Sequence, residues 1–438
     1  MKKFLLLLLI AFCILSFSFG VDFGGYVENY SLLTSSPDIR EQINKLALWL
    51  ALSPSETLYI TGQGSLAYSY DEYIILLDLD YLYLTQEFPG IFSGKSDFSY
   101  TLGRFFQHEF TDMVFAHRLD GIQLNLAFPV MNLMLGAGYS GLLLKPVSTL
   151  NNTRADMVDD SDDDIKLAPK KVIINLGASF PEILPSQQLD FSVVTQFDMR
   201  NEGLIDDKSP IGTEGKGGKL NTIYFGMGLS GVVTGSLIYD VYGYLQLGKS
   251  LSLVDTKNEY IYRPMVAFLA GGSVSYLMRD FYFSKITASF IYASGDKDNT
   301  SVYEGNREGH NTQFMPVSES KAGTIFSPNL SNLIKAGLEY SLKPFSSGAM
   351  KDFQVAVSGA VFFKATEGAI SEGMASVVSE QKYLGTEALL IFNYRPFSDF
   401  GITLAGGAFF PNSSSSGPIV DGYRDIEPGV MINASFSF

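Results

Sequence analysis

Leu189, Phe191, Val193, Thr195, Phe197 and Met199 stand at every second position, and Asp190, Ser192, Val194, Gln196, Asp198 and Arg200 fill the positions between them. A period of two held over so long a run describes a strand with one apolar and one polar face. The pattern recurs, with Ile122, Leu124, Leu126 and Phe128 set against Gly121, Gln123, Asn125 and Ala127, and Ile334, Ala336, Leu338 and Tyr340 against Lys335, Gly337, Glu339 and Ser341. Eighteen such segments can be placed, near 22–31, 44–52, 57–70, 72–85, 97–106, 117–128, 131–144, 170–180, 187–200, 219–231, 235–248, 259–276, 281–294, 331–343, 352–366, 382–395, 398–410 and 428–438, with 16 as the alternative count. Most exceed the usual strand of globular proteins, about 5–6 residues, and suit a tilted bilayer span, which needs about 9–11. One segment, EQINKLALWLAL at 41–52, also has a helical reading; its second half is taken as strand.

The connections carry a second signal. Those after even-numbered strands are mostly short: SPSE at 53–56, the Phe128-Pro129-Val130 corner, PEILPS at 181–186, LMRD at 277–280 and Pro396-Phe397. Those after odd-numbered strands are mostly long: 145–169, 201–218, 295–330, 367–381 and 411–427. A tight turn near Asp71 and a longer connection at 86–96 break the rule. Short turns at one end and long loops at the other are the pattern of a transmembrane antiparallel up-and-down β-barrel. A soluble sheet of this size needs a second layer to cover its apolar face, whereas a closed barrel puts that face on lipid and leaves no edge unpaired.

The start of the chain predicts export. Lys2 and Lys3 precede an apolar run from Phe4 to Phe17, and Ser18-Phe19-Gly20 puts small residues at the cleavage positions, so residues 1–20 are expected to be a removed signal peptide and 21–438 the barrel. Acylation at Cys13 is disfavoured by Phe12 before it. The 31 Lys+Arg less Lys2 and Lys3 leave 29 against 46 Asp+Glu, a mature charge of −17 with no cysteine. That balance excludes nucleic acid as a partner and the missing thiol excludes disulfides. The end of the chain, ASFSF with terminal Phe438, matches a C-terminal strand offered to the outer-membrane assembly machinery. Lipid, that machinery, and a small solute or polysaccharide are the partners expected.

Three stretches carry a resemblance: GRFFQHEFTDMVFAHRLDGIQL at 103–124; YASGDKDN at 292–299 with SNLIKAGLEYSLKP at 331–344; and YLGTEALLIFNYRPFSDFGITLAGGAFFP at 383–411. They resemble the alginate-export-type porins, in which a Gly-Arg begins one strand, a loop crosses outside, and an Arg-x-Asp-Gly begins the next. The resemblance implies an 18-stranded monomeric channel passing acidic polysaccharide or a small solute by diffusion. The chain departs from that group in charge, since a polyanion channel calls for a lumen rich in Arg and Lys.

If polar faces point inward, the lumen holds Asp78, Asp80, Asp190, Asp198, Asp240, Glu339 and Glu387 against Arg104, Arg118, Arg200, Lys335 and Lys364. Such charges tune ion passage or simply pair across strands. Arg104, Arg118 and Asp120 are the leading constriction candidates because they flank the 107–116 loop, which has the length to fold inward. In DMVDDSDDD at 156–164, Asp160, Asp162 and Asp164 have the alternate spacing of a Ca²⁺ loop without its Gly turn or distal Glu, and a solvated acidic loop is the simpler reading. Trp49 and the many Tyr and Phe read as interfacial girdles. His108, His117 and His310 lack the spacing of a zinc site or an evident Ser partner, and GKGGK at 215–219 lacks the strand-to-helix context of a phosphate loop. No enzyme chemistry and no cofactor is expected. The expected function is a passive porin-like diffusion channel without energy coupling. The alternatives are a surface barrel with a closed lumen that binds partners through its loops, and an outer-membrane hydrolase.

Overall fold

The computed structural model describes residues 20–36, 40–70, 74–200, 218–254, 259–299, 306–371, 379–413, 417–419 and 425–438; residues 1–19 of the expected leader, the tight turn expected near Asp71 and most of the GKGGK segment lie outside them. Eighteen strands follow in order: β1 (Gly20–Thr34), β2 (Glu41–Ser55), β3 (Leu58–Ser69), β4 (Ile74–Gly90), β5 (Ser96–His108), β6 (Ala116–Ala127), β7 (Asn132–Tyr139), β8 (Lys171–Leu184), β9 (Gln187–Asp198), β10 (Asn221–Thr234), β11 (Leu237–Val254), β12 (Glu259–Met278), β13 (Ser284–Ala293), β14 (Leu333–Leu342), β15 (Gln354–Lys364), β16 (Tyr383–Phe397), β17 (Phe400–Pro411) and β18 (Glu427–Ser437). Each pairs antiparallel with its sequence neighbours, and β18 closes on β1 through nine residue pairs from Tyr26↔Ser437 to Thr34↔Gly429. The sheet is a closed barrel without a free edge, the only way strands can cross a bilayer with their backbone groups satisfied.

The alternation sets the two faces. Along β9, Asp190, Ser192, Val194, Gln196 and Asp198 are buried while Phe191 and Phe197 are exposed. Apolar side chains therefore face lipid and polar ones face the lumen. Replacing Leu48, 56% exposed on the outer face of β2, by arginine is expected to cost about 2–4 kcal/mol if that residue sits near the bilayer midplane. Folding into vesicles under a urea series, followed by heat-modifiable gel mobility, measures it; a loss below about 1 kcal/mol would place Leu48 at the interface instead.

Three local expectations are corrected. The helical reading of 41–52 gives way to strand throughout β2, because Leu46, Leu48, Leu50 and Leu52 form one outward row there. The long connection at 86–96 shrinks to one helical turn, α1 (Ile91–Gly94), because β4 and β5 stay paired down to Phe88↔Phe98. Trp49 is not on the outer girdle. It lies directly opposite Gly24 and Gln63 on the inward set of β2, close enough that a Cβ on Gly24 would stand 2.8 Å from its ring.

The loops between β7 and β8 and between β13 and β14 fold back into the long-loop end of the barrel. Leu150, Phe314, Val317, Ile325, Phe326 and Leu330 are buried there against inward wall residues such as Ile173, Tyr224 and Phe409. This apolar cluster lies inside the lumen, where soluble-protein packing rules apply although the outer wall meets lipid.

Candidate functional site

The β5–β6 hairpin leaves the wall partway up. Its ladder to β4 ends at Leu82↔Arg104, and its ladder to β7 ends at Asp120↔Tyr139, yet β5 and β6 stay paired with each other to His108↔Ala116. Residues 105–119 therefore form a tip with no ladder partner in the wall. Gly103 and Gly121 face each other at the departure line. Gly103 has φ +127°, and a Cβ there would stand 2.2 Å from the Leu82 carbonyl; one on Gly121 would stand 2.0 Å from that of Ala137. Only glycine lets the hairpin pass this close to both flanking strands as it turns away.

Beyond that line the tip crosses the lumen. Phe110 stacks on Tyr244 of β11 at 5.5 Å and packs against Gly228 of β10. The Glu109 carboxylate accepts from the backbone N–H of Thr111 (2.7 Å) and Val114 (3.0 Å), the Thr111 hydroxyl and the Tyr244 hydroxyl. Val114, Phe115 and Leu119 are buried in the apolar cluster, and the Val317 N–H donates to the Val114 carbonyl at 2.8 Å. The 107–116 segment thus folds inward, pinned by a carboxylate and an aromatic pair that the sequence reading did not single out. Phe110 interrupts no alternation, and Glu109 lies in a loop, where period-two logic is silent.

Arg104, Arg118 and Asp120 do not face the lumen from the wall. They share the outward face of the hairpin with Leu102, Phe106 and Ile122, and the hairpin's lean brings that face against the inner face of β4. Arg104 holds Asp120 with two hydrogen bonds (Nε to Oδ1 3.0 Å, Nη2 to Oδ2 2.9 Å) and donates to the carbonyls of Leu79 (3.1 Å) and Leu142 (3.0 Å). It thereby spans the opening between β4 and the β7–β8 loop that the hairpin vacates. Arg118 pairs with Asp80 and, at 3.0 Å, with Asp78. Asp80 is the extra residue of a β-bulge, between the pairs Gly64↔Leu79 and Gln63↔Tyr81, and also accepts from Lys45 and Gln63. These groups form an arginine clasp that closes the wall with charge-assisted hydrogen bonds where the ladder is missing.

The remaining candidates are loop anchors with three exceptions: Glu339, Asp190, which accepts from Gln188 of its own strand, and Asp240, which accepts from Ser273 of β12. Glu387 accepts from the backbone N–H groups of Thr324, Ile325 and Phe326 (2.6–3.2 Å), a nest at the tip of the β13–β14 loop. Lys335 donates to the Ala322 carbonyl in the same loop and lies 5.9 Å over the Phe362 ring. Lys364 donates to the Glu367 carbonyl. Arg200 and Asp198 belong to a network with buried Asp156 and Lys171, which docks α2 (Arg154–Ser161) of the β7–β8 loop. Glu339, on the inner face of β14, has no ion-pair partner among the described residues.

Burial alone would raise the Asp156 carboxyl, but Lys171 and Arg200 beside it outweigh that and hold it below the ordinary carboxylate range. Its folded-state pKa being depressed, its contribution is fully present above the unfolded value of about 4 and is lost as pH falls through the lower folded value. Docking of α2 is therefore expected to survive from neutral pH to below about pH 4, and protease cleavage within 140–170 should rise only under stronger acid. Cleavage appearing already at pH 5–6 would show that this pair network does not hold the loop.

The acidic loop and His117 are engaged by their neighbours. The Lys145 ammonium donates to the Asp160 (2.6 Å) and Asp162 (2.9 Å) carbonyls, and among the described residues no group of three or more acidic, His or Cys side chains is placed to hold a metal. His117 spends both ring nitrogens on backbone, Nδ1 on the Arg118 carbonyl and Nε2 on the Thr149 N–H, so it has no nitrogen left for a serine.

Beneath the tip, two cavities of about 340 and 350 Å³ lie on either side of Phe110 and share Asp190. Their polar lining includes Gln123, Asn125, Asn175, Gln188, Ser230 and Asp240, and no Lys or Arg.

The same barrel is found among solved structures from Pseudomonas aeruginosa that are outer-membrane porins. OccK8 (OprE) superposes with a TM-score of 0.55 at 12% identity, covering 96% of this chain and 98% of that one. OpdK, solved with vanillate, gives 0.54 at 8% identity over 96% and 98%, and OccK11 (OpdR) gives 0.53 at 11% over 95% and 96%. At such identities the likeness establishes a shared fold. No family model and no curated protein sequence matches the chain.

Proposed function

We propose that the chain is a passive diffusion channel of the bacterial outer membrane for small cationic or neutral solutes, exported with a cleaved leader and assembled through the strand ending at Phe438. The observation that carries this reading is the inward hairpin: a loop that narrows a closed barrel from within, above two cavities whose wall carboxylates, Asp190 and Asp240, meet no Lys or Arg in the lining. A charged constriction selects by sign because the low-dielectric walls concentrate its field. The acidic polysaccharide implied by the resemblance to alginate-export-type porins fits this lumen poorly. Arg104, Arg118, Arg200, Lys335 and Lys364, the basic candidates, are each held by clasp, loop or wall groups.

The closed-lumen alternative is favoured by one observation, the apolar cluster that the β7–β8 and β13–β14 loops bury inside the long-loop end. Single-channel recording of refolded 21–438 in a planar bilayer under a KCl gradient decides between them. The channel reading expects stable steps and a reversal potential of cation-preferring sign, moved toward zero by Asp190→Asn with Asp240→Asn. Verified folded barrels without steps would establish the closed lumen.

A further inference from the structure

Trp49 is the only tryptophan of the chain. The fold turns it into the lumen, away from the lipid interface at which a tryptophan ordinarily serves a barrel. Its six-membered ring lies over Gly24 of β1, where a Cβ would stand 2.8 Å from Cζ2 and 3.0 Å from Cε2. Register gathers a group around this ring. Gln63 stands directly opposite Trp49, Tyr81 stands directly opposite Gln63, and the Gln63 amide donates to the Tyr26 hydroxyl at 3.4 Å. Tyr83, the next inward residue of β4, meets Tyr81 edge to face at 6.4 Å and Phe105 of the hairpin at 6.2 Å. The rings of Tyr26, Trp49, Tyr81 and Tyr83 thus share one stretch of inner wall, at the height where Gly103, opposite Tyr83, turns the hairpin away.

The polar groups beside the rings are open to the lumen. Trp49, Thr61 and Tyr81 are part-exposed, and the indole N–H and the two hydroxyls have no hydrogen-bond partner among the described residues. Gln63 spends Nε2 on Tyr26 and Asp80 and keeps Oε1 as an acceptor. The set therefore holds one donor, one acceptor and two hydroxyls that do both. An ammonium ion only donates and would leave the indole N–H unmet; a carboxylate only accepts and would leave Gln63 Oε1 unmet. The charges toward the long-loop end are matched, since Lys45 stands opposite Glu28 and 3.0 Å from Asp80, and Arg118 pairs with Asp78 and Asp80. Asp22, the inward residue next to Gly24 toward the short-turn end, offers two more acceptor oxygens and repels anions. A sugar ring has the matching character, a C–H face that packs on an aromatic ring and a rim of hydroxyls that each donate and accept. Resting on the channel reading and naming its solute, we propose that the inner wall around Trp49 is a stacking site for neutral saccharides. The sugar face lies on the indole and its hydroxyls reach Gln63, Thr61 and Tyr81, in the aromatic-lined, sparsely polar manner of small-molecule sites.

The single tryptophan reports on its own site. Maltotriose and cellotriose, neutral sugars of different linkage, are expected to change the Trp49 emission of refolded 21–438 saturably and to shield it from acrylamide, whereas trigalacturonate and tetramethylammonium leave it unchanged. Tyr81→Phe, which keeps the ring and deletes one hydroxyl, should weaken sugar binding at least threefold; Thr61→Val serves as the second variant if the first does not fold. In bilayers the sugars should interrupt the current, with interruptions at least fivefold shorter in Trp49→Leu. No response to either sugar, an equal response to trigalacturonate or tetramethylammonium, unchanged affinity in a folded variant, or equally long interruptions in Trp49→Leu overturns the site. Steps that neither sugar interrupts, with no change of emission, reject the site and leave the channel. A saturable change of emission in barrels that give no steps rejects the channel and leaves the site.

Discussion

Arg118→Ala is expected to destabilise the barrel by about 3 kcal/mol, the lower end of the cost of stranding buried charges. Asp78 and Asp80 have side chains only 3% and 2% exposed. Asp80 keeps Lys45 and Gln63 after the substitution, but Asp78 keeps only Arg104 at 4.0 Å, and its oxygens accept no well-aligned hydrogen bond. The deficit is therefore an uncompensated carboxylate in a wall where no ladder bond takes over. Urea unfolding of the refolded chain should show a lowered midpoint, and Asp78→Asn in the same background should recover most of it, because a neutral amide no longer needs a counter-charge. A loss below about 1 kcal/mol would mean that the pair is solvated like an ordinary surface bridge and that the clasp does not hold the wall.

Shortening the hairpin tip should produce the largest functional change. Replacing 109–115 by Gly-Asn-Gly removes Phe110, Glu109 and their contacts to Tyr244, yet touches none of the ladders that close the barrel, because residues 105–119 pair only with each other. Conductance is expected to rise several-fold while heat-modifiable mobility stays that of a folded barrel. Asp190 and Asp240 remain on the wall, so cation preference should weaken without reversing sign. Unchanged conductance in a folded variant would place the narrowest point elsewhere, in the packed β7–β8 and β13–β14 loops.

The Gly-Arg at 103–104 and the Arg-Leu-Asp-Gly at 118–121 stood out in the sequence by resemblance, and they are the residues at which the hairpin leaves the wall. Their position was legible but their direction was not. Period-two reasoning assigns a face within a strand, and it placed Asp190, Asp198, Glu339 and Glu387 inward as found. It has no means of knowing that a hairpin leans until its outer face meets the inner face of β4, which is what turns Arg104, Arg118 and Asp120 from pore lining into clasp. Lys45 was missed for the same reason, since its partner Asp80 lies two strands away; Gln63 meets Asp80 on the neighbouring strand, through a bulge that period-two reasoning does not place.

The alternation of apolar and polar residues, the lengths of the segments and the unequal connections determined a closed 18-stranded barrel, because each is local: the strand period is set by the backbone and the span by bilayer thickness. Which charges stay free in the lumen was decided only by tertiary structure. Loop 109–115, the β13–β14 loop and α2 each recruit wall charges to satisfy their own buried backbone and side-chain groups, and that accounting depends on where distant segments meet. Seven acids and five bases read along the strands as a mixed lumen. Folding pairs or anchors most of these twelve, so which of them stay free is decided by the packing and not by the composition.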